Sequence, residues 1–253
     1  KTEGRLHDHA FVFVHGFNVG FDDAMFRAAQ ISYDMDFRGL TFAFSWPSRS
    51  SKYAYNADRE RAISARFALR DFIQNVFSIM GPGSGKRIHF LAHSMGSQTL
   101  MDALSMFEAP AAGSAPLFGQ IVFAASDVVR DSFRITTTRI APLASGITLY
   151  ASSKDWALTF SDILRAGESP VGLITRSGIP YIGPDFDSID VSALDTDFFA
   201  YNHSTYGDRR PLIEDMGTLF ADSVRPPAQR SKFFERLSAP KNGGIYYRYL
   251  ARQ

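Results

Sequence analysis

The chain has 253 residues, 45% of them hydrophobic and 21% charged, with a formal net charge of +1 and no cysteine. A chain of this length buries enough apolar surface to fold without disulfides or metals, and the lack of cysteine excludes disulfides, thiolate metal sites and a cysteine nucleophile. The near-neutral charge gives no global field for nucleic acid or an anionic membrane, and no apolar run approaches the roughly 18 residues of a spanning helix.

Residues 10–14, AFVFV, form a short apolar run of the kind a strand shows when buried on both faces, and the glycine turn HGFN ends it. A helix is predicted from Asp22 to Asp36, with Met25, Ala28, Ala29 and Ser32 on one side. LTFAFSW, residues 40–46, reads as a second strand closed by Pro47. From about Asp58 to Met80 one apolar stripe recurs at three and four residues, which predicts a single long helix. GPGSG (81–85) breaks it, RIHFLA follows as a strand, and a helix with Leu100, Ala103, Leu104 and Phe107 inward begins after Ser94. QIVFAA (120–125) and ITLYAS (147–152) are further strands with a helix between them, and another helix is expected from Asp155 to about Arg165. Residues 166–186 read as an irregular excursion, SIDVSAL (188–194) as a sixth strand and Pro211–Ser223 as a helix.

Strands alternating with helices predict an α/β fold: a mostly parallel sheet of about six or more strands with helices on both faces. No composition break marks a second domain, so the expectation is a single domain over 1–253 with an irregular tail from about residue 224. Active sites of such sheets lie at the carboxyl ends of the strands.

Ser94 stands at such an end. Ala92-His93-Ser94-Met95-Gly96 fits small-x-nucleophile-x-Gly between a strand and a helix. The motif needs a sharp, strained turn that lifts the serine hydroxyl out of the sheet, and small residues at Ala92 and Gly96 let strand and helix approach. A bare helix cap is the plainer reading of a lone serine there, but the strand-elbow-helix context favours a nucleophile. Its base must lie later in the chain, and of the histidines only His203 does, in the loop FFAYNHSTYGD. Asp155, after the fifth strand, is favoured as the acid over Asp127, after the fourth, although Asp155 also suits a helix cap. The turn His15-Gly16-Phe17-Asn18 is placed to supply a second oxyanion N–H from Phe17 beside that of Met95, with Gly16 allowing close approach and His15 fixing the loop. Phe17, Phe21 and Trp46 are candidate walls of an acyl pocket.

Other signals carry less. GPGSGK lacks the spacing and context of a phosphate loop, and the carboxylates of PDFDSID lack the glycine and glutamate of a calcium loop, so a solvated turn is expected. Arg59, Glu60 and Arg61 have two readings, a lining of the site mouth or, more plainly, an exposed helix face.

Taken together, VFVHGFNVGFDDAMFRAAQ, FAFSWPSRSSKYAYNADRERA, FLAHSMGSQTL, TLYASSKDWAL and SIDVSALDTDFFAYNHSTY resemble the DUF900 branch of the alpha/beta hydrolases, over roughly residues 10–222. The branch consists of bacterial proteins described mostly as esterases or lipases. SWPS with YxxDRE, LYASSxD and NHSTY are the segments most specific to it. The resemblance implies the triad Ser94, Asp155 and His203, in agreement with the reading above. It leaves the substrate open.

The expected activity is therefore hydrolysis of carboxylic or thio esters through an acyl-enzyme. The alternatives are a non-catalytic binding or scaffold protein on the same fold and an acyltransferase using the same triad. A small-molecule ester is the expected partner, with no cofactor, no metal, no nucleic acid and no spanning segment; the oligomeric state is left open. The chain starts without Met, at KTEGRLHDHA, and the expectation is a soluble domain, cytoplasmic or exported with its leader absent.

Overall fold

A computed structural model describes residues 6–49, 51, 54–81, 87–153, 169–194, 210–240 and 243–250. Strands β1 (Ala10–Val14), β2 (Leu40–Phe44), β3 (Ile88–His93), β4 (Phe118–Ala124), β5 (Ala144–Ala151), β6 (Asp187–Asp190), β7 (Phe234–Ser238) and β8 (Ile245–Tyr249) build one sheet. Its order is β2-β1-β3-β4-β5-β6-β8-β7. Every neighbouring pair is parallel except the antiparallel β7 and β8. All the carboxyl ends that could carry a site therefore lie on one edge.

The helices are α1 (Phe21–Asp34), α2 (Tyr55–Ser64), α3 (Arg66–Met80), α4 (Gly96–Leu104), α5 (Arg130–Ile140) and α6 (Arg210–Asp222). Alternation along each strand divides the core between two faces. Val12, Val14, Phe90, Phe123 and Leu149 pack with Leu69, Ile73, Leu100 and Phe133 of α3, α4 and α5. Phe11, Phe13, Leu91, Val122 and Tyr150 pack with Ala28 and Ile31 of α1 and with Met216, Leu219 and Phe220 of α6. This two-sided burial is why β1 reads as an unbroken apolar run.

Four expectations change. The single helix predicted over 58–80 is two, meeting at Ala65, because α2 buries Tyr55, Asp58 and Ala62 while α3 buries Leu69, Ile73, Val76 and Met80. In α1 the buried side is Ala24, Ala28, Ile31 and Ser32, and Ala29 faces out. The tail expected to be irregular from about residue 224 adds β7 and β8 to the sheet. It is anchored by Arg225 to Asp187 at 2.6 Å and by Arg248 to Asp190 at 3.0 Å. Those two carboxylates, expected in a solvated turn, are thus ion-paired, and Asp185 accepts a 2.7 Å hydrogen bond from Thr138. The helix predicted from Asp155 to Arg165 lies outside the described residues.

Candidate active site

Ser94 sits between the last residue of β3 and the Met95 that caps α4. Its φ is +49°, in the left-handed region that a residue with a β-carbon adopts only at a cost of about 1–3 kcal/mol. The fold holds it there from both sides. Its N–H donates to the Ala124 carbonyl at the end of β4 across 3.0 Å, and its own carbonyl accepts from Ser97 N–H at 2.9 Å. Ala92, two residues earlier, is fully buried, in register with Val14 and Phe123. Gly96, two residues later, lies against β1: a β-carbon there would stand 2.3 Å from the His15 carbonyl oxygen and 2.8 Å from that of Val14. Only glycine lets α4 leave the sheet at this point.

The turn after β1 runs across the elbow. A β-carbon on Gly16 would lie 2.7 Å from His93 Nδ1 and 3.0 Å from Ser94 Cβ. Phe17 is the next residue, and Asn18 completes the turn at φ +58°. Met95, as the N-cap of α4, has an N–H with no carbonyl to meet inside the helix, and the helix dipole adds positive potential there.

His15 is fully buried and fixes this turn to the end of β2. Its Nδ1 donates to the Gly16 carbonyl at 2.8 Å and its Nε2 accepts from Trp46 N–H at 3.1 Å. The indole of Trp46 stacks on it with centroids 4.8 Å apart and donates to the His15 carbonyl at 2.8 Å. Burial foremost pushes the His15 pKa down, with hydrogen bonds to Gly16 and Trp46 opposing. The ring is a neutral tautomer in this arrangement. Trp46, considered as a pocket wall, is therefore core, and Phe21, considered likewise, is an exposed first residue of α1. Phe17 meets the edge of the Tyr55 ring, with centroids 5.3 Å apart.

His93 is mostly buried, with its ring against Gly16. Burial, then the Arg27 charge, then His15, lower its pKa to about 3.

The Trp-Pro-Ser segment and the helix after it form a second layer around the elbow. Fully buried Asp58 accepts from Ser48 Oγ at 2.7 Å and from Arg49 N–H at 2.9 Å, closing the loop from β2 to α2. Tyr55, the first residue of α2, donates to Asp127 Oδ2 at 3.1 Å. Asp127 is buried just past β4, and burial raises its carboxyl pKa to about 6 against the Tyr55 hydrogen bond and the Arg59 charge. Asp127 and Arg59 share a small pocket with Met95. Arg59 is exposed on α2, as the plainer sequence reading has it, and also lines this pocket beside the elbow. Sequence reasoning missed Tyr55 and Asp58, although both fall within YxxDRE, the spacing most specific to the branch.

Asp155 and His203 lie outside the described residues. The strands that precede them, β5 and β6, end at Ala151 and Asp190 on the same edge as Ser94.

The parallel sheet with a strained serine elbow between β3 and α4 defines an alpha/beta hydrolase. The chain belongs to the family described as alpha/beta hydrolase of unknown function (DUF900), whose profile matches residues 2–219. No curated protein matches it. Two solved structures of phospholipase PlaB from Legionella pneumophila are similar to it at 9% identity. The one in complex with thio-NAD has a TM-score of 0.49 and is matched over 96% of this chain and 68% of that one. The other has a TM-score of 0.47, over 96% and 69%.

Among the described residues no helix is long and apolar enough to cross a membrane.

Proposed function

We propose that this chain hydrolyses carboxylic or thio esters of small molecules through an acyl-enzyme on Ser94, with His203 as base and Asp155 as the acid that orients it. The observation that carries this reading is Ser94 itself: a serine at φ +49°, at a parallel-strand end, with the Gly16 turn pressed against it. A helix cap needs no such backbone, because capping residues sit in the extended region.

In the proposed reaction Ser94 Oγ attacks the ester carbonyl carbon while His203 takes the hydroxyl proton. The carbonyl oxygen becomes an oxyanion between the N–H groups of Phe17 and Met95. Collapse of the tetrahedral adduct breaks the bond to the alcohol or thiol, which leaves with the proton from His203. Water then attacks the acyl-serine by the same route, releasing the acid and restoring the hydroxyl. His15 and His93 do not fit the base: His15 is engaged at both nitrogens, and His93 points its low basicity away from proton transfer near neutral pH.

The test is a panel of nitrophenyl esters of rising acyl length against the wild type and Ser94→Ala. The wild type turns over at least one ester, and Ser94→Ala loses several orders of magnitude in kcat while keeping its fold. Equal rates for the two proteins on that ester would end the proposal.

A further inference from the structure

We propose that the pocket beside the elbow, between α2, α4 and α5, is a subsite for a hydroxyl group carried by the substrate, held between Asp127 and Arg59. This deepens the ester-hydrolase reading and rests on it only for the scissile bond.

Three observations carry the assignment. First, the pocket opens directly beside the nucleophile's neighbour, since Met95 is one of its walls. Second, its walls mix apolar side chains, Ala62 and Ile63 from α2 and Val128 and Val129 after β4, with the polar Gln98 and Ser132, and its two charged residues are opposite in sign: Asp127 and Arg59. Third, Asp127 is a buried group only partly used by the protein. Tyr55 donates to its Oδ2 at 3.1 Å and its own backbone N–H also donates to the carboxyl, which together fix it, and a carboxylate still has acceptor capacity for further donors.

The pairing of charges selects the ligand. A cation drawn to Asp127 meets Arg59, and an anion drawn to Arg59 meets Asp127. A neutral group that donates to the carboxylate and accepts from the guanidinium satisfies both. A hydroxyl does this through one atom, which suits a small pocket. Ala62, Ile63, Val128 and Val129 suit a short hydrocarbon stem behind it, and Gln98 and Ser132 suit a second hydroxyl on that stem. An ester of a diol or of glycerol has that composition, whereas a simple alkyl ester leaves both charged groups facing hydrocarbon, at a cost in binding.

Binding and turnover are measured separately. In the Ser94→Ala chain, titration followed by NMR compares glycerol 1-monobutyrate with propyl butyrate, which share the acyl group and differ in the hydroxyls. Monobutyrate is expected to bind about tenfold more tightly or better, and adding Asp127→Asn or Arg59→Ala should bring the two affinities within about threefold. Arg59 is exposed, so its removal leaves the fold intact. Equal affinities in Ser94→Ala, no detectable monobutyrate binding, or discrimination that survives both substitutions overturns the subsite. Turnover by the wild type separates the two ideas. If neither ester is hydrolysed while discrimination in binding persists, the hydrolase reading falls and the subsite stands. If both are hydrolysed alike and bound alike, the subsite falls alone.

Discussion

Gly16 passes so close to Ser94 that a β-carbon on it would stand 3.0 Å from the serine Cβ and still nearer, 2.7 Å, to the ring of His93. The contact ties the turn after β1 to the elbow after β3, two strands that are hydrogen-bonded neighbours in the sheet. A methyl group here must push the two turns apart, and Phe17 moves with Gly16. Gly16→Ala should therefore lower kcat about a hundredfold, near the loss seen when one oxyanion donor is removed. Steady-state kinetics on a responsive nitrophenyl ester, beside a circular-dichroism melt, checks it. Full activity in Gly16→Ala would show that the turn contributes no donor.

Ser94 offers a test of strain that does not depend on turnover. Its left-handed backbone suits glycine and penalises any residue with a β-carbon. Ser94→Gly and Ser94→Ala should both be inactive, and the glycine variant should be the more stable of the two by about 1 kcal/mol. Urea denaturation of the pair reads the difference. An alanine variant equal to or more stable than the glycine one would mean the elbow is not strained.

The local half of this architecture could be read in the sequence. AFVFV is β1 residue for residue, and the small residues around Ser94 have the steric roles their spacing suggested. What could not be read was the pairing of distant polar groups. Tyr55 and Asp127 are 72 positions apart, and nothing local to either marks the other as its partner. Asp187 and Asp190 looked like a solvated turn because their arginines arrive from Arg225 and Arg248. Arg248 also hid the last strand. IYYRY breaks apolar alternation at Arg248, and the residue only makes sense inside the sheet once Asp190 lies beside it. The break at Ala65 escaped for a related reason: Asp58 marked only the start of the predicted helix, yet it is buried inside α2 to hold Ser48 and Arg49.

The choice of triad acid separates cleanly by mutation. Asp127 is already hydrogen-bonded by Tyr55, which engages one of its oxygens elsewhere. If Asp155 orients His203, Asp155→Asn should cut kcat by about 10³–10⁴ on every ester, as removal of a triad carboxylate does. Asp127→Asn should cost at most about tenfold on nitrophenyl esters, by the loss of a single hydrogen-bonding partner. The reverse ranking would assign the acid to Asp127 and leave Ser94 as nucleophile.

Burial also sets the response to acid. His93 has its pKa pushed down to about 3 by burial, then by the Arg27 charge and His15. Burial likewise lowers His89 and His15. In the unfolded chain a histidine titrates near 6.5, so below that pH the unfolded state binds protons that the folded state refuses. The stability these groups contribute is complete above about pH 6.5 and drains away as pH falls toward their folded values. Asp127 works in the opposite direction: with a folded pKa of about 6 against 3.8 unfolded, it gains stability for the fold as pH falls through that window. These three histidines and His9, which burial lowers likewise, outweigh Asp127 and Asp102, whose carboxyl burial also raises, so the urea midpoint should decline between about pH 7 and about pH 5. In an NMR titration the His93 ring should show no inflection above about pH 4. A His93 inflection near 6.5 would place the ring in solvent and contradict the packing at Gly16.

The last test concerns the terminal strands. Arg230 donates from Nε to Asp215 Oδ1 at 2.7 Å and from Nη2 to Oδ2 at 3.0 Å, with the two side chains 0% and 1% exposed. Tyr150 of β5 donates to the same carboxylate, and Arg230 Nη1 reaches the Val224 carbonyl at 3.1 Å. This one ion pair thus joins α6, β5 and the segment leading into β7. A buried pair contributes little over an apolar replacement, but a single buried charge left behind is costly. Arg230→Met should therefore destabilise by about 3–5 kcal/mol, because Asp215 then lacks its cation. Adding Asp215→Leu removes the orphaned charge and should restore at least half of that loss, making the double variant more stable than the single one. Urea denaturation of the three proteins decides the matter. A cost below about 1 kcal/mol for Arg230→Met, the size expected of a solvated surface pair, would mean that water reaches Asp215 and that the terminal strands are not held through it.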